Sequence, residues 1–337
     1  MSNLGLESII TEALVTSYNA GDMELSLLAD GVKHVYHVQR DIGDDWILRA
    51  FPINPQGHLG RGADAIARML LYLERHNYAT EWVIPTCAGQ PVFTHEGWQL
   101  LVTTYVGESL RKWAPEYGRS ETRKASPLPP AIYGKLGEAL AQLHNLPIEE
   151  AASLPKAGML PARELTWVGG YIDEVADQVP PAYQQWYNEL ASAVRKSHHC
   201  QDLKQVLIHC DPNLGNAAIG NNGDVVFIDW DVVGLGPAVF DLGCLLINCV
   251  TEEFKPDVIA IHAVMDGYRQ HRSLSALELD RLNDAVPSQI LVTLGGYFPS
   301  LIKGEVGDDE LIYGLTYKQW QAKYWAAAEI VRIAQGR

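Results

Sequence analysis

The sequence has 337 residues, 47% of them hydrophobic and 20% charged. That composition excludes a disordered chain and fits a folded protein of two domains at roughly 100–200 residues each. The formal charge of −15 argues against nucleic acid or an anionic membrane surface as partner, because both call for a basic patch. An acidic field instead favours a small cationic substrate. Five cysteines (Cys87, Cys200, Cys210, Cys244 and Cys249) form no CxxC pair, which argues against a disulfide framework or a structural zinc site and for a reducing compartment. Met1 to Asn19 lack the basic-then-apolar pattern of a secretory signal. The apolar stretch near Leu242–Val250 is too short to span a bilayer. A cytoplasmic protein is expected.

Residues 1–20 carry Leu6, Ile9, Ile10, Ala13 and Leu14 at helical spacing, and Gly21-Asp22 ends that pattern. Strands are expected at 25–28 and 32–38, around Asp30-Gly31, and at Trp46–Phe51 after the turn Gly43-Asp44-Asp45. A loop at Pro52–Gly62 precedes a helix from Ala63 to Arg75, and further strands fall at 83–84, 92–93 and 99–105. The character changes at Val106-Gly107. A polar, Pro-rich loop at Arg119–Pro130 leads into helices near 130–145, 163–178, 181–199, 238–250, 256–271, 276–295 and 308–334. Between these lie two short strands, Val206–Ile208 and Val225–Ile228. The expected fold class is therefore α+β. Residues 1–106 form an antiparallel sheet lobe with one inserted helix, and residues 107–337 a mainly helical lobe.

The residues that carry chemistry lie between those two short strands. The run His209-Cys210-Asp211-Pro212-Asn213-Leu214-Gly215-Asn216 follows the first, and Asp229 ends the second. If the two strands form a hairpin through Asn221-Asn222-Gly223-Asp224, then Asp211, Asn216 and Asp229 come within reach of one another. Phosphoryl transfer needs such a set: a carboxylate to orient and deprotonate the attacking hydroxyl, and hard oxygen ligands to hold a divalent cation against nucleotide phosphates. HxD alone is an ordinary turn. The signal becomes specific only with Asp229, Gly234-Leu235-Gly236-Pro237 and Asp241-Leu242-Gly243 behind it.

In these segments the sequence resembles the aminoglycoside phosphotransferase family. His209 to Asn216 is similar to that family's catalytic loop, and Phe227-Ile228-Asp229-Trp230-Asp231 to its metal-binding segment. Gly234-x-Gly-Pro237 with Phe240-Asp241-Leu242-Gly243, and Leu140-Ala141-Gln142-Leu143-His144, resemble the flanking elements. The resemblance implies a bilobal protein-kinase-like fold and an ATP- and Mg2+-dependent kinase of a small-molecule hydroxyl. Asp211 would be the catalytic base, and Asn216 and Asp229 the Mg2+ ligands. Asp231 is a candidate for a second metal or substrate contact, and His209 and Asp241 would brace the loop. Cys210 stands where the family commonly has Gly and reads as a packed small residue, not a nucleophile.

In the first lobe the resemblance places Arg49 on the third strand, against the nucleotide phosphates. The backbone of Thr103 and Tyr105 would meet adenine. Ala29 to His34 would cover the phosphates, with Lys33 or His34 in reach of them. A helix Glu normally orients the basic residue, but none stands near Ile66 or Ala67, so either Asp64 or Glu74 substitutes or the pair is missing. The second lobe offers Trp113, Trp167, Tyr171, Trp186, Tyr187, Tyr297, Trp320, Tyr324 and Trp325. Its acidic candidates are Asp173, Glu174, Asp177, Glu305, Asp308 and Asp309. Aromatic faces with carboxylates suit an ammonium-bearing substrate such as an aminoglycoside or aminocyclitol. A homoserine- or choline-type metabolite kinase, a Ser/Thr protein kinase of the same fold and a non-catalytic nucleotide binder stay open beside it. So does a metal hydrolase, although His198-His199 adjoin no acidic motif.

Overall fold

The computed structural model describes residues 3–31, 33–53, 62–110, 128–148, 161–197, 202–220, 222–251, 253–307 and 309–336. The expected loops over 54–61 and 119–127 lie outside the described residues, as do Val32, Trp113, His198, His199, Cys200, Asn221 and Asp308. The chain divides into two compact units. One comprises Met1–Glu108 with Ile219–Val232, the other Ser109–Ala218 with Val233–Arg337.

The first unit is built on a five-stranded antiparallel sheet. Its strands are β1 (Met23–Asp30), β2 (His34–Arg40), β3 (Trp46–Pro52), β4 (Phe93–His95) and β5 (Trp98–Thr104), in the order β1-β2-β3-β5-β4. Helix α1 (Asn3–Ser17) covers one face. Its buried residues Leu6, Ile10, Ala13 and Leu14 pack with Tyr36 and Val38 of β2, Trp46, Leu48 and Ala50 of β3, and Leu100 and Val102 of β5. Because strand side chains alternate between faces, Ile47, Arg49 and Phe51 turn the other way. Helix α2 (Ala63–Arg75) buries Ile66, Ala67, Met69, Leu70 and Leu73, an apolar stripe at helical spacing that contacts β3 and β5. At 83–84 the expected strand reduces to an isolated bridge between Val83 and Thr103.

The second unit starts within β6 (Glu108–Ser109) and holds α3 (Pro130–His144), α4 (Pro161–Glu174) and α5 (Gln184–Lys196). It continues with β7 (Gln205–Ile208) and the start of β8 (Ala217–Ile219) and, after β9 (Val225–Phe227) of the first unit, with β10 (Gly234–Pro237) and α6 (Ala238–Leu246). Helices α7 (Val258–His271), α8 (Ala276–Ile302) and α9 (Tyr317–Ala334) complete the chain. Helices α3 and α7 cross closely. A Cβ on Gly267 would stand 2.0 Å from the Gly134 carbonyl oxygen, and one on Gly137 would stand 2.1 Å from that of Val264. Capping boxes start α8 (Ser275 with Glu278) and α9 (Thr316 with Gln319).

Three expectations are corrected here. β7 does not pair with the strand that ends at Asp229. It pairs with Gly234–Pro237, from Ile208 opposite Gly234 to Gln205 opposite Pro237. Gly-Leu-Gly-Pro has weak strand propensity and reads as a turn, yet its backbone still forms a ladder. α8 runs past its expected end to Ile302, with Pro287 and Pro299 inside it. α9 begins at Tyr317 rather than near 308, because the turn bridging Ile312 and Leu315 precedes its cap. α8 is also the one helix among the described residues long and apolar enough to cross a membrane by length and composition, and over half of that stretch is buried inside the protein.

Candidate active site

Arg49 enters from the middle of β3 and is 5% exposed. Its guanidinium makes a two-pronged contact with Glu81, Nη2 to Oε1 at 3.0 Å and Nη1 to Oε2 at 2.8 Å. Nη1 also donates to Thr103 Oγ1 at 3.1 Å, and that hydroxyl donates to Glu81 Oε2 at 2.7 Å. Burial works against the Arg49 charge. The carboxylates of Glu81, Asp229 and Asp231 together more than offset it, so the guanidinium pKa stands above its ordinary value.

The carboxylate that orients Arg49 is therefore neither Asp64 nor Glu74. Asp64 accepts instead from Gln99 Nε2 at 2.8 Å. The α2 face that would carry the acid is filled by Ile66, Ala67 and Leu70, and the acid comes from the extended segment after the helix. Its sequence signal is a lone carboxylate in Tyr78-Ala79-Thr80-Glu81-Trp82-Val83, since an acid among apolar neighbours is buried only when paired. Thr103 joins this network through its side chain, while its backbone lies opposite Ile47 in the β3–β5 ladder. The Tyr105 N–H donates to the Asp45 carbonyl at 3.0 Å.

Asp229 and Asp231 belong to the same unit. Thr80 anchors their segment: its hydroxyl donates to the Phe227 carbonyl at 3.0 Å and accepts from Trp230 Nε1 at 2.9 Å. Asp229 adopts a left-handed backbone, φ 68°, which Asp tolerates better than most residues. Lys33, between β1 and β2, bridges the two carboxylates. Its ammonium contacts Asp229 Oδ1 and donates to Asp231 Oδ2 at 2.5 Å. Asp231 Oδ1 is buried without a hydrogen-bond partner. Burial first, and then the Asp229 charge, push the Asp231 carboxyl above the usual carboxylate range, against the pull of Lys33 and Arg49.

In the second unit the segment His209 to Asn216 is held by its own backbone and by Asp241. This buried carboxylate accepts from the His209 N–H at 2.7 Å and the Cys210 N–H at 2.8 Å. It also meets His144 Nε2 of α3 at 3.2 Å. His144 Nδ1 in turn lies 2.8 Å from the Tyr268 hydroxyl of α7. Cys210 has φ 74°, a left-handed conformation that favours glycine and strains a residue with a Cβ. Gln289 of α8 donates to the Cys210 carbonyl at 3.2 Å and lies 2.8 Å from Cys244 Sγ. Burial, then the charges of Asp211 and Asp241, raise the Cys244 thiol well above its ordinary pKa, so it stays a thiol.

Asp211 follows Cys210. Its Oδ1 accepts from Asn213 Nδ2 at 2.8 Å and its Oδ2 from Asn216 Nδ2 at 2.9 Å. Asn216 Nδ2 also reaches the Asp211 carbonyl, at 3.0 Å. Two acceptors on one side fix the Asn216 amide nitrogen. Asn213 caps the short 3₁₀ turn Leu214–Asn216 by accepting from the Asn216 N–H at 3.1 Å. The structure thus brings Asp211 together with Asn216, and Arg49 with Thr103. Asp229 falls in the first unit.

The aromatic candidates divide by burial. Trp186 is buried, with its Nε1 3.3 Å from the Tyr317 hydroxyl, and Tyr187 stacks on Phe298. Trp320 Nε1 donates to the Ile312 carbonyl at 2.8 Å. These serve the core. Trp167, Tyr171 and Trp325 are exposed. Thr166, Trp167, Gly170, Tyr171 and Glu174 of α4 line a shallow groove of about 440 Å³. Asp173 is ion-paired with Arg195.

The sequence matches the profile of the phosphotransferase enzyme family over residues 24–277. No curated protein sequence matches the chain significantly. Among solved structures, the amicoumacin kinase hAmiN, in complex with AMP-PNP and Ca2+, is 16% identical with a TM-score of 0.61. That comparison covers 98% of this chain and 96% of the other. Spectinomycin phosphotransferase APH(9)-Ia, in complex with ADP and spectinomycin, is 15% identical with a TM-score of 0.59, covering 97% of each chain. A choline/ethanolamine kinase family protein from Mesorhizobium loti is 17% identical with a TM-score of 0.57, covering 98% of this chain and all of the other. Fold and sequence together define a small-molecule phosphotransferase with a protein-kinase-like fold. The chain belongs to the phosphotransferase enzyme family.

Proposed function

We propose that the protein transfers the γ-phosphoryl group of ATP to a hydroxyl of an aminated small molecule, of the aminoglycoside or aminocyclitol type. The observation that carries this reading is the Asp211–Asn216 turn, clamped at its start by Asp241. Asp211 is the base. It takes the proton of the acceptor hydroxyl as that oxygen bonds to the γ-phosphorus, the β–γ bridging bond breaks, and ADP leaves with the bridging oxygen. Arg49, held flat by Glu81 and Thr103, faces the nucleotide phosphates as a fixed charge. The backbone of Thr103 and Tyr105 takes the adenine, and a base there has to win the Tyr105 amide from Asp45.

The Asn216 side-chain oxygen and the Asp229 carboxylate are the chain's ligands for Mg2+. The donor chemistry fits. Both are hard oxygens, and the Asp229–Asp231 pair already holds a cation in the form of the Lys33 ammonium. Among the described residues no group of three or more His, Cys, Asp or Glu is placed to hold a metal ion, so the remaining oxygens would have to come from phosphate and water. Bound there, the ion would neutralise charge on the phosphates.

The aminated substrate is supported by the α4 groove. Trp167 and Tyr171, one turn apart, offer ring faces and Glu174 a carboxylate, which suits an ammonium group. A choline- or homoserine-type acceptor satisfies the same groove and is the second reading. Among the described residues Cys87, Cys210, Cys244 and Cys249 form no disulfide, which suits a cytoplasmic enzyme, where antibiotic inactivation would also take place.

The test is ADP release over a panel of aminoglycosides, aminocyclitols, macrolides, choline and homoserine, with Asp211→Ala as control. Turnover is expected with aminated acceptors. The control should lose at least about a thousandfold in kcat while still binding nucleotide. Turnover confined to neutral or anionic alcohols sinks the substrate assignment, and an active Asp211→Ala enzyme sinks the base.

A further inference from the structure

The Lys33 bridge calls for an account of its own. Five charged groups gather in the first unit: Arg49 and Lys33 against Glu81, Asp229 and Asp231. Arg49 is committed to Glu81, whose two oxygens it occupies. The pair Asp229–Asp231 is bridged by Lys33, whose side chain is only 15% exposed. Two cations against three carboxylates leave one negative charge in excess. A divalent ion on the carboxylates turns that into one positive charge in excess, and the ammonium is then repelled from the place it holds. Asp231 Oδ1, buried and without a hydrogen-bond partner, shows that Lys33 satisfies the pair only in part. A long, flexible ammonium side chain on the connection between two strands can leave with little cost to the fold.

We propose that Lys33 holds the place of the divalent cation in the nucleotide-free protein and turns to the nucleotide phosphates when the metal arrives with them. This rests on the reading of Asp229 as a metal ligand. Without nucleotide, Lys33 spares the fold two close carboxylates with no cation and keeps free metal from binding tightly. With metal–nucleotide, the carboxylates exchange one cation for another, and the released ammonium gains a polyphosphate partner. Lys33 is a positioning residue in this scheme. It sets the order in which ion and nucleotide are accepted, favouring the two together over the ion alone.

The experiment titrates Mn2+ into the nucleotide-free full-length protein, following free ion by electron paramagnetic resonance, and then AMP-PNP at fixed Mn2+ by calorimetry. Lys33→Met is expected to bind Mn2+ alone on the order of tenfold more tightly than the unsubstituted protein, and AMP-PNP on the order of tenfold more weakly. Lys33→Arg, which keeps the charge, should stay close to the parent in both. A purely structural lysine cannot move the two affinities in opposite directions. Unchanged or weaker Mn2+ binding by Lys33→Met overturns the inference, and so does AMP-PNP binding that does not weaken. Asp229→Ala separates this from the functional reading. If it abolishes Mn2+ binding while Lys33→Met has no effect, the Lys33 role falls and the metal assignment stands. If Mn2+ binding survives Asp229→Ala, the metal assignment falls and takes the Lys33 role with it.

Discussion

Glu81 shows how much one carboxylate can govern. It is 2% exposed, accepts both prongs of the Arg49 guanidinium and also receives the Thr103 hydroxyl. Removing it leaves a buried, always-charged guanidinium with one neutral partner, a loss of about 3–5 kcal/mol. Glu81→Ala should therefore lower the denaturant midpoint strongly, and in whatever folded fraction remains it should raise the KM for ATP more than it lowers kcat. Chemical denaturation with steady-state kinetics checks both, and a Glu81→Ala protein as stable as the parent contradicts the ion pair. The sequence pointed to the wrong acids because it looked for the partner on a helix. Arg49 itself was reached through the family resemblance, on the strand Trp46 to Phe51. Its partner lies 32 positions later in chain order, and no local periodicity connects the two. Cys210 is the reverse case. Its departure from glycine was visible in the sequence, but only the φ of 74° shows what glycine would supply there.

Elements with their own periodicity were legible almost to their ends: α1, α2, α3 and α7 among the helices, and β3 and β5 in the sheet. Those whose form depends on a distant partner were not. β7 found its mate in Gly234–Pro237 because backbone hydrogen bonds do not require strand-favouring side chains, and no sequence pattern records that choice. The α3–α7 crossing is similar. Gly134, Gly137 and Gly267 look unfavourable inside helices, yet they let the two backbones approach within van der Waals range. Gly267→Val should lower stability by about 1–3 kcal/mol or more through overpacking, whereas the same change at Gly170, where a Cβ meets nothing within 4 Å, should cost less than 1 kcal/mol or so. Thermal melts of the two variants decide it, and equal melting temperatures would count against the close crossing.

For the whole molecule, the fold class was readable because one half alternates with period two and the other with period 3.6. The substrate was not, because exposed aromatic residues and core aromatic residues share a composition. One global property follows from a buried histidine. Burial lowers the His144 pKa, against the hydrogen bond and charge of Asp241, with Arg272 lowering it further and Glu278 opposing. The neutral ring donates from Nε2 to Asp241 and accepts the Tyr268 hydroxyl on Nδ1. The unfolded chain takes up a proton near pH 6.5, the folded chain only at lower pH. This contribution to stability is therefore complete above about pH 6.5 and is lost as pH falls below it, at up to about 1.4 kcal/mol per pH unit. Denaturant midpoints at pH 7.5, 6.5 and 5.5 should show the decline, and His144→Gln should flatten it. An equal slope in the variant rules His144 out as the cause.

The Asp241 carboxylate ties the start of the His209–Asn216 loop and the last residue of α3 to a single acceptor. The amides of His209 and Cys210 cannot then be released to solvent by a local opening of the loop. They exchange only when Asp241, α3 and α7 come apart together. In a deuterium-exchange experiment these two loop amides should belong to the slowest class, alongside the interior of α3, although loops ordinarily exchange quickly. The start of this loop shares its lifetime with the helical core.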